Sequence, residues 1–237
     1  MNNYKKRFIL FLLIVMSVLY AFMGKDVLAD KKDTNKNNAK VILIDPGHGG
    51  MDGGAVSRSG TLEKDINLSI SLKLRDELKK SGFNVIMTRE EDKWLCDDDK
   101  GKIRERKRAD LYNRWKMKKE SNCNAFISIH LNMFPESKYY GAQVWYSSNE
   151  YSKKLASLIQ SNFKLHLDET NKRLEKPANN DYKILRNGDD IPSVIVECGF
   201  LSNPMEEQKL KDIGYQQKIA KIITQSVKEY FENEYKE

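Results

Sequence analysis

Cysteine is scarce in this chain: its 237 residues hold Cys96, Cys123 and Cys198, with no C-x-x-C pair. An odd set spaced this way indicates neither a disulfide framework nor a thiolate metal site, although a pair could still form in an oxidising compartment. Phosphate-cradling loops are also missing, since neither G-x-x-x-x-G-K-[ST] nor G-x-G-x-x-G occurs. No repeat of solenoid period is present, which excludes a stacked array. Histidine is limited to His48, His130 and His166, so any imidazole chemistry rests on these three.

Long apolar runs are confined to the N-terminus. Lys5-Lys6-Arg7 precede an apolar stretch from Phe8 to Met23, and Val27-Leu28-Ala29 offers the small residues that a signal peptidase reads. Residues 1–29 are therefore expected to be a signal peptide or an uncleaved membrane anchor, short for a span and interrupted by Ser17 and Tyr20. Residues 30–40 form a polar Lys- and Asn-rich linker. Residues 41–237 have the size of one domain with a full core. The protein is expected to be exported, working at the outer face of the cytoplasmic membrane or in the wall. Of the net charge of +7, the first 29 residues carry +3, which leaves only +4. Nucleic acid binding is not implied; an anionic membrane surface or cell wall suits this balance, and a solvated surface explains it equally.

Strand-like and helix-like stretches alternate, which predicts an α/β domain: a mostly parallel twisted sheet of about six strands with helices on both faces. Val41 to Ile44 reads as a strand buried on both faces. Ile66, Ile70, Leu74 and Leu78 recur every four residues and predict a helix from Glu63 to Lys80. Asn84 to Thr88 is the next strand, followed by a charged, mobile loop from Arg89 to Lys102. Arg104 to Glu120 reads as a basic helix burying Leu111, Tyr112 and Trp115. Ala125 to His130 and Gln143 to Tyr146 are strands, and Tyr151 to His166 is a helix. A polar loop from Asp168 to Asn180 leads to Tyr182-Lys-Ile-Leu-Arg186, and Ser193 to Cys198 is a core strand. Asn203-Pro204 has the composition of a helix cap with proline at the first helical position. The last helix buries Ile219, Ile222, Ile223, Tyr230 and Phe231.

The stretch Val41 to Ala55 organises the rest. Asp45-Pro46 ends the first strand, and Gly47, Gly49, Gly50, Gly53 and Gly54 then let the backbone turn tightly around His48. On this stretch alone a ligand and a structural histidine are both open readings. His130 ends a second strand and Glu197 lies near the end of a third; if these run parallel, all three meet at one sheet edge, where α/β folds bind ligands. Glu63, in the first turn of the first helix, starts from the same edge. Each has a plain structural reading as well. Glu63 complements a helix dipole, worth about 0.3–1 kcal/mol. His130 could bond backbone, and Glu197 could pair with Arg89 or Arg108. Jointly, two imidazoles and a carboxylate with an open position make the ligand set of a catalytic zinc hydrolase. His166 reads as a surface residue at a helix end.

Four segments then carry a resemblance: Asp45-Pro46-Gly47-His48-Gly49-Gly50, Glu63-Lys64-Asp65, Ser128-Ile129-His130-Leu131-Asn132, and Val196-Glu197-Cys198-Gly199-Phe200-Leu201-Ser202-Asn203. In this order they resemble the motifs of the zinc-dependent N-acetylmuramoyl-L-alanine amidases, over about Val41 to Phe231. The resemblance implies His48, Glu63 and His130 as zinc ligands and Glu197 as the catalytic carboxylate. Matches at weaker family positions suggest substrate contacts for Asn132, Arg108 and Leu185. It also implies peptidoglycan as substrate, cut between the lactyl group of N-acetylmuramic acid and L-alanine, and control by an activating protein partner. The small, repeat-free domain behind a hydrophobic N-terminus looks like the spore-cortex branch. Asn132 to Gly141 leaves no room for the site-blocking helix of some members. Substrate loops are expected at Met51 to Ser59, Phe134 to Tyr140 and Lys172 to Asn180. A zinc peptidase acting within the stem peptide and a non-catalytic wall-binding module are the alternatives.

Overall fold

The computed structural model describes Tyr4 and residues 39–96, 102–186 and 190–234. The expected signal peptide or anchor and nearly all of the linker lie outside the described residues. Among those described, no helix is long and apolar enough to cross a membrane. Lys40–Glu237 forms one compact unit.

Among the described residues six strands make one sheet: β1 Val41–Pro46, β2 Asn84–Met87, β3 Ala125–Asn132, β4 Gln143–Tyr146, β5 Lys176–Pro177 and β6 Ser193–Phe200, in the order β2-β1-β3-β6-β4-β5. The central strands β2, β1, β3 and β6 are mutually parallel, and β4 runs antiparallel to β6. Helix α1 (Glu63–Lys80) connects β1 to its neighbour β2, and α2 (Ile103–Glu120) crosses over β1 from β2 to β3, as parallel strands of one sheet require. Helix α3 (Glu150–His166) follows β4, while α4 (Pro204–Lys211) and α5 (Ile213–Glu234) follow β6.

The two faces of the sheet differ in chemistry, because side chains alternate along each strand. One face carries Ile42, Ile44, Ile127, Ile129, Val194 and Val196 against α1, α3 and α5, in a single apolar cluster. In α1 the stripe Ile66, Ile70, Leu74 and Leu78 is buried there, each residue contributing about 1.5–3 kcal/mol of transfer free energy. The other face starts apolar at Leu43, Phe126 and Ile195. It turns polar toward the carboxyl ends, where the alternation places Asp45, Ser128, His130 and Glu197.

Two sequence expectations are corrected. Helix α2 does not bury Leu111 or Tyr112, which are exposed, and Trp115 is only half-buried. Its inner face is charged instead: Asp110, Arg114 and Lys118 are buried. Arg114 can be buried because its guanidinium donates to Asp45 Oδ1 at 2.6 Å and to Asp110 Oδ2 at 2.7 Å, so the charges compensate one another. The segment after β2 is anchored rather than loose where it is described: Arg89 is 2% exposed and Leu95 N donates to Asp110. Residues 97–101 lie outside the described residues. Tyr182–Arg186, to which the sequence pattern assigns no element, holds a short 3-10 turn, Lys183–Leu185, and the two-residue β5 lies within the polar loop.

Candidate metal centre

His48 leaves β1 with φ +61, a left-handed conformation that few non-glycine residues adopt. Reciprocal backbone bonds between Gly49 and Asp52 close the turn, bringing the Asp52 carboxylate back to His48 Nδ1 at 2.9 Å. The other ring nitrogen, Nε2, lies 3.2 Å from Glu63 Oε2. Glycine is required close by. A Cβ on Gly47 would stand 2.3 Å from the His130 ring, and one on Gly54 (φ +69) 2.6 Å from Glu63 Oε2.

Glu63 is the first residue of α1 and 3% exposed. Its Oε1 accepts from Leu131 N at 3.0 Å and from Asn67 Nδ2 at 3.1 Å, and lies 3.0 Å from His130 Nδ1. Its Oε2 accepts from Ala55 N at 2.8 Å. The carboxylate is thus bridged between two imidazoles whose ring centroids are 5.0 Å apart. One ligand atom from each of His48, Glu63 and His130 lies within 4.8 Å of the others. Across the sheet, His130 is in register with Glu197 on the neighbouring strand.

The electrostatics separate the two carboxylates. Burial would raise the pKa of Glu63, but hydrogen bonds and positive charge from His130 and His48 outweigh it and hold the group well below the usual carboxylate range. Burial raises Glu197 to about 7, with the Glu63 charge adding and the His130 and His48 charges opposing. Burial works to lower His48, yet Asp52 and Glu63 together raise it to about 9. Asp52 is held ionised against burial by His48 and by Lys107, whose Nζ lies 2.7 Å from Oδ1. Positive charge between His48, Glu63 and His130 is therefore favoured whether protons or a cation carry it. Glu197 Oε2 is buried with no hydrogen-bond partner among the described residues. Two imidazoles, an ionised carboxylate and an adjacent unpaired carboxylate oxygen fit a small divalent cation with a position left for water.

Of the residues expected to touch substrate, Asn132 is half-buried at the end of β3, Arg108 is exposed on α2, and Leu185 is buried in the core with Leu43, Phe126 and Ile195. Leu185 thus presents no side chain to a ligand. Arg89 and Arg108 do not pair with Glu197 among the contacts described: Arg89 donates to the carbonyls of Pro46, Gly47, Lys64 and Glu91. The sequence reading missed Asp52. The available signal was a carboxylate four residues after a histidine inside a glycine-rich turn, where the chain must double back. His166 ends α3 and is exposed, as expected.

A His-Glu-His cluster and a carboxylate held near neutrality, at the carboxyl edge of a parallel sheet, form the arrangement that a metal-assisted hydrolase requires. Residues 42–229 match the family described as N-acetylmuramoyl-L-alanine amidase. The chain belongs to that family. It is 36% identical over 222 residues to the germination-specific N-acetylmuramoyl-L-alanine amidase of Bacillus subtilis, covering 93% of this chain and 91% of the relative. Among solved structures, the CwlD amidase from Clostridioides difficile in complex with the GerS lipoprotein has 45% identity and a TM-score of 0.79, covering 81% of this chain and 98% of that one. An N-acetylmuramoyl-L-alanine amidase from Clostridium difficile 630 has 32% identity and a TM-score of 0.71, covering 82% and 98%.

Proposed function

We propose that the chain is a zinc-dependent peptidoglycan hydrolase that cleaves the amide between the lactyl group of N-acetylmuramic acid and L-alanine of the stem peptide. The carrying observation is geometric: Glu63 bridges the two imidazoles, and beside them Glu197 Oε2 is buried without a hydrogen-bond partner among the described residues. His48, Glu63 and His130 would hold the metal. Zinc supplies Lewis acidity, polarising a carbonyl and bringing the pKa of water to about 7. Glu197 takes the proton of the attacking water and returns it to the departing L-alanine nitrogen, so that the amine leaves neutral. Asp52 accepts from His48 Nδ1 and keeps Nε2 turned toward the cluster. No helix occurs in residues 133–142, which supports an open site.

Export through residues 1–29, with the membrane contacted there if the segment stays attached, belongs to the same reading. So do a role in wall or spore-cortex remodelling and an activating protein partner. The germination-specific relative supports the cortex role, and the amidase solved with a lipoprotein supports the partner. Mass spectrometry of digested peptidoglycan tests the reaction. Free stem peptides with an L-alanine amino terminus are expected. Shortened stems would mean a peptidase, and unchanged material a wall-binding module.

A further inference from the structure

Two buried guanidiniums grip the backbone of the His48 turn without reaching the cluster. Arg114 Nη1 donates to Pro46 O at 2.8 Å and Nη2 to His48 O at 2.6 Å. Arg89 Nε donates to Pro46 O at 3.0 Å and Nη2 to Gly47 O at 3.0 Å. Three consecutive carbonyls are thus satisfied by two side chains that are each 2% exposed. On α2, Asp110 and Lys107 share the face of Arg114, one and two turns earlier. Asp110 accepts from Arg114 Nε at 2.7 Å and from Leu95 N at 2.7 Å. Lys107 Nζ lies 2.7 Å from Asp52, the carboxylate that holds His48 Nδ1. His48, at φ +61, keeps a conformation that persists only where its surroundings over-determine it.

We propose that this face of α2, with Arg114 at its centre and Lys107 at its rim, is a positioning element for His48 that sets the affinity of the metal centre. The inference rests on His48 being a metal ligand. Arg114 contacts none of the cluster's ligand atoms among its described bonds; it acts through the carbonyl of His48. Lysine at 114 keeps the charge beside Asp45, but one ammonium cannot span two carbonyls and two carboxylates in the fork geometry of a guanidinium.

The test uses the full chain and zinc alone, with affinity read by competition against a chromogenic chelator and folding by far-UV circular dichroism and thermal melts. Arg114→Lys is expected to weaken zinc binding about 10- to 100-fold, the range for groups that orient a ligand. Lys107→Ala, at a half-exposed ion pair, should weaken it about two- to fivefold with the fold intact. Val227→Ala, a core truncation in α5, should lower the melting temperature and leave zinc affinity unchanged. Excess zinc should restore kcat in Arg114→Lys. Wild-type zinc affinity in Arg114→Lys overturns the inference, as does weakening in Val227→Ala in proportion to its lost stability. If Arg114→Lys fails to fold, unchanged affinity in Lys107→Ala overturns it. A wild-type chain that binds no zinc would sink the metal reading itself, a different result from wild-type binding that the variants share.

Discussion

Glu63 and Glu197 are the same side chain driven to opposite protonation behaviour by position. Glu63 collects backbone and side-chain donors at a helix start between two imidazoles; Glu197 sits mid-sheet with one oxygen unpartnered. Glu197→Gln keeps shape but removes the proton acceptor, and positioned proton transfer contributes about 10²- to 10⁴-fold. Zinc content should survive that substitution while turnover of a purified muropeptide falls by about that factor. Glu63→Gln should lose metal first and regain part of its rate at high zinc; the reverse pattern in the two variants would exchange their roles. The acid side of the rate profile follows from the same residue. Glu197 must be unprotonated to accept a proton, and a neighbouring cation would hold its carboxyl below the value of about 7 that burial gives it in the metal-free chain, so kcat/KM should rise with pH to a plateau reached below neutrality, and Glu197→Gln should lose that limb. That His48, Glu63, His130 and Glu197 meet at one sheet edge was legible in the sequence, because each lies toward the carboxyl end of a strand or at the start of a helix, and such ends are what residue patterns mark well. Asp52 was not, because its role depends on how the glycine turn folds back.

At the scale of elements, local pattern and tertiary partnership diverge. Helix α1 was read to its ends because its stripe is apolar and regular. Helix α2 was placed correctly but turned to the wrong face. Its buried residues are charged, and the Asp45 partner that makes Arg114 burial tolerable lies 69 residues away in sequence. Apolar spacing alone favoured Leu111 and Tyr112. Helix α4 shows the opposite case, a local signal that holds. Asn203 Oδ1 accepts from Met205 N at 3.0 Å and Glu206 N at 3.3 Å, with Pro204 in the first turn. Asn203→Ala should cost about 1 kcal/mol, or about 2–4 °C in melting temperature for a domain of this size. Its zinc content should stay at the wild-type level, since α4 carries none of the cluster; a variant that melts like wild type would show that the cap contributes nothing.

For the molecule as a whole, the metal-free fold carries charge that only protons or a cation can neutralise, and this links stability to both pH and zinc. His48 is raised from 6.5 to about 9 and Glu197 from 4.5 to about 7. In each case the folded chain binds more protons than the unfolded one between the two values, so stability falls as pH rises through that window. Stabilisation from His48 is fully present below 6.5 and is lost as pH approaches about 9. The penalty from Glu197 develops between 4.5 and about 7 and is constant above it. The metal-free chain should therefore melt at progressively lower temperature from pH 5 to 9. Zinc bound at the cluster would take the place of the proton on His48, so its binding should strengthen as pH rises toward about 9. At a zinc concentration about 1,000 times Kd the added stability is about 4 kcal/mol, which for a domain of this length is about 8–16 °C. Melts with zinc and with chelator should thus diverge, and the gap should be wider at pH 8 than at pH 6.5. The His48→Ala, His130→Ala double variant should show no gap at either pH. A gap that narrows as pH rises, or one that persists in the double variant, would place the cation somewhere other than this cluster.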